Sequence, residues 1–146
     1  METEIKIDAQ YEKPKAVIYA SEITQEVRNA VRTLSQGESK ILTGTRDGTV
    51  EIIDEDTVIR FFTEDGRVWA QTTNGKYAIK PRLYELEERL DRTRFVRISS
   101  SEIINLKKVS RFDLSLAGTV CVIFSDGGST YASRRYVAKL KSILGM

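Results

Sequence analysis

The sequence predicts a mostly β protein with short helices, preceded by a small α/β extension at its N-terminus. Three observations carry that expectation. Short apolar runs recur between turn signals, the clearest being Arg46-Asp47-Gly48, Glu64-Asp65-Gly66, Asn74-Gly75 and Asp126-Gly127-Gly128. Only three stretches place apolar residues at helical spacing. With 146 residues, 40% hydrophobic and 30% charged, the chain can bury one core with an appendage and is too apolar for disorder.

Taken in order, Glu4-Ile5-Lys6-Ile7-Asp8 alternates polar and apolar residues as a half-buried strand does, and Ala16-Val17-Ile18-Tyr19-Ala20 reads as a second strand. Ser21 or Thr24 can cap a helix reaching about Leu34, with Ile23, Val27, Ala30, Val31 and Leu34 as its apolar stripe and Ser35-Gln36-Gly37 as its stop. Residues 1–40 are the expected extension and 41–146 the main domain, whose first strand is expected at Lys40–Thr43. Strands follow at Thr49–Ile53, Val58–Thr63, Arg67–Thr72 and Lys76–Ile79, the last entered through Asn74-Gly75, a strong hairpin signal. A helix over Leu83–Leu90 sets Leu83, Leu86 and Leu90 on one face. Phe95–Ile98, Lys107–Phe112, Thr119–Phe124 and Ser129–Ala132 complete the strands, and a helix from Arg134 to Leu144 closes the chain.

Composition removes whole classes of chemistry. With no histidine, Ser-His and Cys-His nucleophiles and His-ligated zinc are excluded. The single cysteine, Cys121, lies in the apolar run Val120–Phe124 and reads as a core residue. No cofactor or metal is expected. Glu85, Glu87 and Glu88 could suggest acid/base work, but on a helix they fall around a solvated face beside Arg82 and Arg89, so the chain is read as no enzyme. No apolar run approaches the roughly 18 residues of a membrane span, and no leader pattern opens the chain, so a cytoplasmic location is expected.

Charge is unevenly distributed. Residues 1–80 carry 11 basic against 14 acidic side chains, and residues 81–146 carry 12 against 7. Such a basic C-terminal part attracts a polyanion. Within it, Ser133 can cap the last helix, yet Arg134 and Arg135 occupy the first turn, where cations cost a few tenths to about 1 kcal/mol each. Two readings stand: an anion comes to that end, or one arginine pairs with a carboxylate such as Asp126 and the other is solvated. A second stretch, Arg97-Ile98-Ser99-Ser100-Ser101, ends a strand in three hydroxyls suited to donate to phosphate or a base edge. Lys107 and Lys108 follow it, while Asn105 either joins the polar surface or bonds the backbone of its own loop.

The stretch from Arg94 to Val109 resembles the LytTR signature: a phenylalanine (Phe95), an arginine (Arg97), a polar trio (Ser99–Ser101) and a hydrophobic pair (Ile103-Ile104) before Asn105. Leu83–Leu90 resembles that family's short helix, and Asp126-Gly127 with Ser133-Arg134-Arg135-Tyr136 its closing turn and last helix. The resemblance covers about two thirds of the chain. It implies an elongated β fold whose loops read successive major grooves of double-stranded DNA, as in a bacterial transcription regulator. Three loops are implied: Glu64–Arg67 with Arg67 as contact; the serine trio, where Ser100 stands at a base-reading position; and the last-helix turn, where Arg135 matches a base-reading arginine and Arg134 holds phosphate. Lys80, Arg82, Arg97, Lys107 and Lys108 are implied backbone contacts, with Ser99 and Asn105 in the same polar surface. Two features depart from the family: Ser99 and Ser100 replace its usual His and Asn or Arg, and Glu64 and Asp65 put negative charge in loop one.

Residues 1–40 resemble the extension of stand-alone family members that lack a receiver domain. The resemblance admits a homodimer and a membrane-protein regulatory partner. The rival role is therefore a protein-interaction module that docks such a membrane-associated partner.

Overall fold

A computed structural model describes residues 1–35 and 41–146, which cluster into two compact units, residues 1–40 and 41–146. The helix stop expected at Ser35-Gln36-Gly37, from Gln36 onward, and the first residue of the strand expected at Lys40–Thr43 lie outside the described residues.

In the first unit, α1 (Gln25–Ser35) is capped by Thr24, whose Oγ1 accepts from Val27 N at 3.3 Å and whose carbonyl accepts from Arg28 N at 3.0 Å. The two strands expected at 4–8 and 16–20 do not form; both segments are irregular, with Ile5, Ile7, Val17 and Tyr19 exposed. Alternation alone makes no strand. A strand exists by pairing, and neither segment has a ladder partner among the described residues.

The second unit holds ten strands: β1 (Thr43–Arg46), β2 (Thr49–Ile52), β3 (Val58–Glu64), β4 (Arg67–Thr72), β5 (Gly75–Ile79), β6 (Phe95–Ser99), β7 (Glu102–Asn105), β8 (Val109–Asp113), β9 (Val120–Phe124) and β10 (Ser129–Ala132). All pairings are antiparallel, in a seven-stranded sheet ordered β2-β1-β5-β4-β3-β7-β6 and a three-stranded sheet ordered β10-β9-β8. Two helices join them, α2 (Leu83–Arg89) and α3 (Arg134–Ile143). The first hairpin runs three residues further than expected, because Asp47 and Gly48 both take positive φ and close a tight two-residue turn after Arg46.

Two apolar clusters sandwich the centre of the large sheet. One face packs Phe61, Val68, Ala70, Tyr77, Phe95 and Ile103 against Leu83, Leu86 and Leu90 of the α2 segment. The opposite face packs Ile59, Val96, Ile98 and Ile104 against Val120, Val122 and Phe124 of β9 and Leu140 of α3. A bulge between Val58 and Arg60 turns Ile59 toward this second cluster. β7 lies between both clusters and buries all four of its residues, so it shows no alternation and was not expected as a strand. Cys121 is buried and unpaired with any other cysteine, as its apolar surroundings predict.

Candidate nucleic-acid interface

The antiparallel register brings the ends of several strands to one end of the large sheet. β3 stops at Glu64, and Asp65 and Gly66, with φ of 52° and 73°, form a two-residue turn that puts exposed Arg67 at the start of β4. Val68 pairs with Ile79, so the next position along this ladder sets Arg67 against exposed Lys80. The chain then passes Pro81 to Arg82, which occupies the N-cap position of α2 without a side-chain cap bond. The Glu64 carboxylate is drawn away by Lys76 at 2.8 Å, which leaves Asp65 as the acid of this turn.

The serine loop between β6 and β7 closes at the same end. Arg97 organises it from inside: Nε donates to Ser99 O at 2.7 Å, Nη2 to Ser100 O at 2.6 Å, and Nη1 to Glu87 Oε1 at 2.5 Å. Its side chain is 14% exposed and three of its five N–H donors are spent on protein, so Arg97 serves first to hold the loop, which corrects its expected role as a free phosphate contact. Ser99, half-buried, bonds within the loop, its Oγ 3.2 Å from Ser101 Oγ and accepting from Ser101 N. Ser100 alone of the trio is exposed with its hydroxyl unbonded among the described residues. Thr63 N donates to Ser101 O at 2.9 Å and so locks this loop beside the β3–β4 turn. A shallow depression of about 390 Å³ lies there, lined by Gly66, Arg82, Tyr84, Arg97 and Ser100 among others.

The third loop joins through Ser133 N, which donates to Ile98 O at 2.9 Å and pins the start of α3 to the last turn of β6. Ser133 takes the N-cap backbone conformation, but its hydroxyl makes no cap bond. The first turn of α3 contains no acidic residue. Arg134 lies over Gly118, where a Cβ would stand 3.4 Å from its Nε, and Arg135 lies 5.7 Å from the Tyr136 ring. Of the two readings of this pair, salt bridging to Asp126 does not occur: Asp126 Oδ1 accepts from Gly128 N at 2.8 Å. Among the described residues, Arg67, Lys80, Arg82, Arg134 and Arg135 have no carboxylate partner. Unpaired guanidinium groups beside an uncapped helix N-terminus suit phosphate.

Three expected contacts are not at this end. Asn105 is completely buried; its Nδ2 donates to Val58 O at 2.7 Å and its Oδ1 accepts from Lys107 N at 3.0 Å. It cannot touch a partner, and the reading in which it bonds backbone is the correct one. Lys107 and Lys108 sit in a 3₁₀ turn past the far end of β7, about 13 Å of strand away from the serine loop. There Lys107 is close enough to Asp91 to help hold that carboxyl below its ordinary range, after the larger effect of its hydrogen bonds from Thr93. Glu87, read in the sequence as part of a solvated helix face, instead orients Arg97 from ten residues upstream.

Known proteins resemble this chain in both sequence and fold. A model of the family described as the LytTr DNA-binding domain matches residues 48–145. Relatives in Staphylococcus aureus bear the name uncharacterized HTH-type transcriptional regulator. The one from strain NCTC 8325 is 38% identical over 122 residues, covering 84% of this chain and 81% of that protein, and the one from strain MRSA252 is 37% identical over the same length. A solved LytTr DNA-binding domain, from a methyl-accepting/DNA response regulator of Bacillus cereus, shares the fold with a TM-score of 0.71 at 18% identity. That likeness covers 73% of this chain and 99% of the solved one.

Proposed function

The chain belongs to the LytTr DNA-binding domain family, and from that premise we propose that it regulates transcription by reading a specific double-stranded DNA sequence through three loops at one end of its β scaffold. The observation that carries this reading is that exposed Arg67, Lys80, Arg82, Ser100, Arg134 and Arg135 lie on loops at that end, the five cations having no ion pair among the described residues. Phosphate contacts set the register, and Arg135 and Ser100 supply the sequence preference. The reading assigns no bond-making chemistry to the chain, and work on chromosomal DNA places it in the cytoplasm. The HTH-type name of the relatives does not describe the scaffold proposed to read DNA here: among the described residues no helix is followed directly by another helix.

Selection of bound duplexes from a random pool tests the reading. An enriched sequence is the expected result, and a pool that stays random after repeated rounds refutes it. Two enriched half-sites about one helical turn apart would further indicate a homodimer on one face of the duplex. A second role is favoured by the exposed Ile5, Ile7, Val17, Tyr19 and Ile23 of the first unit: docking of a membrane-associated protein partner on residues 1–35. A chain with only that role would show no steeply salt-dependent DNA binding.

A further inference from the structure

We propose that Glu102 is a positioning residue, whose buried carboxylate fixes the serine loop and the Arg134–Arg135 turn at a set distance from each other. The inference rests on the DNA-reading role of those two loops. Glu102 is the first residue of β7, directly after the serine loop, and is only 5% exposed between apolar neighbours. A buried carboxylate is costly unless both oxygens are satisfied. Here Oε1 accepts from Arg60 Nη1 on β3, and Oε2 accepts from Thr130 Oγ on β10. Arg60 is held in turn by Gln71 Oε1 at 2.8 Å and lies over the Phe62 ring at 4.4 Å.

A line of side chains therefore runs Gln71, Arg60, Glu102, Thr130, from β4 through β3 and β7 to β10. Its last step crosses from the seven-stranded sheet to the three-stranded one, which share no ladder. Thr130 precedes Ser133 by three residues, so the carboxylate grips the strand that delivers Arg134 and Arg135. Stability alone does not call for this arrangement, since an apolar pair of similar volume packs such a site at equal or lower free energy. Geometry does. A bidentate arginine contact tolerates displacements of only about 0.5 Å, and the two loops must meet one duplex together.

Thr130→Val removes the hydroxyl while keeping the shape, and Arg60→Met with Glu102→Leu replaces the ion pair by apolar groups. Hydrogen exchange on the full chain would follow two amides that pin the loops, Thr63 and Ser133, with the remote Ile53 amide as control. The apolar double variant is expected to keep its melting temperature, and Thr130→Val to melt lower because Glu102 Oε2 loses its donor. Both are expected to speed exchange at Thr63 and Ser133 about tenfold relative to Ile53. Affinity for the selected duplex is expected to fall about tenfold against less than twofold for random duplex. Uniform acceleration at all three amides, no acceleration, or an unchanged ratio of specific to random binding would overturn the inference. Should the wild-type chain select no sequence, the exchange measurement still decides the tie between the loops while the DNA-reading role fails by itself.

Discussion

At the scale of single residues, the same chemical type takes opposite roles according to burial. Arg135 is exposed with no carboxylate partner, whereas Arg97, in the most family-like stretch of the sequence, spends its guanidinium on Glu87 and two loop carbonyls. A bidentate guanine contact, the role proposed for Arg135, is worth about 1–3 kcal/mol of discrimination. Arg135→Ala is therefore expected to flatten sequence preference about 10- to 100-fold, read as the ratio of selected to random duplex in gel-shift titration. Asn105→Ala is expected to act on folding instead. It strips the Val58 carbonyl of its donor in a fully buried site and costs about 1–3 kcal/mol, measurable by urea denaturation. The basic residues were legible in the sequence because charge is written locally. The distinction between bound and free polar side chains was not, because no local pattern marks the partner: Arg60 meets Glu102 across 42 residues and Asn105 meets Val58 across 47, and even Arg97 meets Glu87 on a different element.

At the scale of elements, the sequence yielded strands with alternating burial and the continuous apolar run of β9, and missed β7, whose buried run includes Glu102 and Asn105. β4 and β5 were found because buried and half-exposed positions alternate along them, and Asn74-Gly75 marks the turn between them. β7 has both faces covered and lost its period, so Glu102–Asn105 read as motif instead of strand. The same error moved the lysines. Read as the start of a strand after the serine loop, Lys107 and Lys108 would adjoin it, but β7 intervenes and carries them to the other end. Lys107→Ala is accordingly expected to leave DNA affinity and its salt slope unchanged in gel-shift titration, and a slope lower by about one would return Lys107 to the interface.

At that far end the α2–β6 turn is held by Asp91, whose Oδ1 accepts from Thr93 N at 2.9 Å and Thr93 Oγ1 at 2.7 Å. These bonds lower its pKa from 3.8. A depressed carboxylate contributes stability above its unfolded value, and that contribution is lost as pH falls below 3.8 through the lower folded value. Thermal melting between pH 7 and pH 2.5 is expected to show a smaller acid-induced decline in Asp91→Asn than in the wild type.

At the scale of the molecule, the two-part reading of charge becomes directional. The basic residues of the C-terminal part do not all gather in one place: Lys107 and Lys108 lie past the far end of β7, while the other end holds Arg82, Arg134 and Arg135 with Arg67 and Lys80 from the acidic half of the chain. Five cations at one end set the expected salt response. If each neutralises one phosphate, the logarithm of affinity for duplex DNA should fall with the logarithm of salt concentration at a slope of about −4.5. Fluorescence anisotropy from low to moderate salt measures it, and a slope near −1 would separate these residues from the duplex.

The two-residue turn at Asp65 and Gly66 restricts how such a protein can change its target over generations. Both positions sit in left-handed backbone that few side chains tolerate, so this tip has little chemical latitude. Neither Ser100 nor Arg135 has positive φ, and both can be exchanged freely. Under the proposed reading, divergence of operator preference among descendants would accumulate at those two sites, while the hairpin tip stays Asp or Asn followed by glycine.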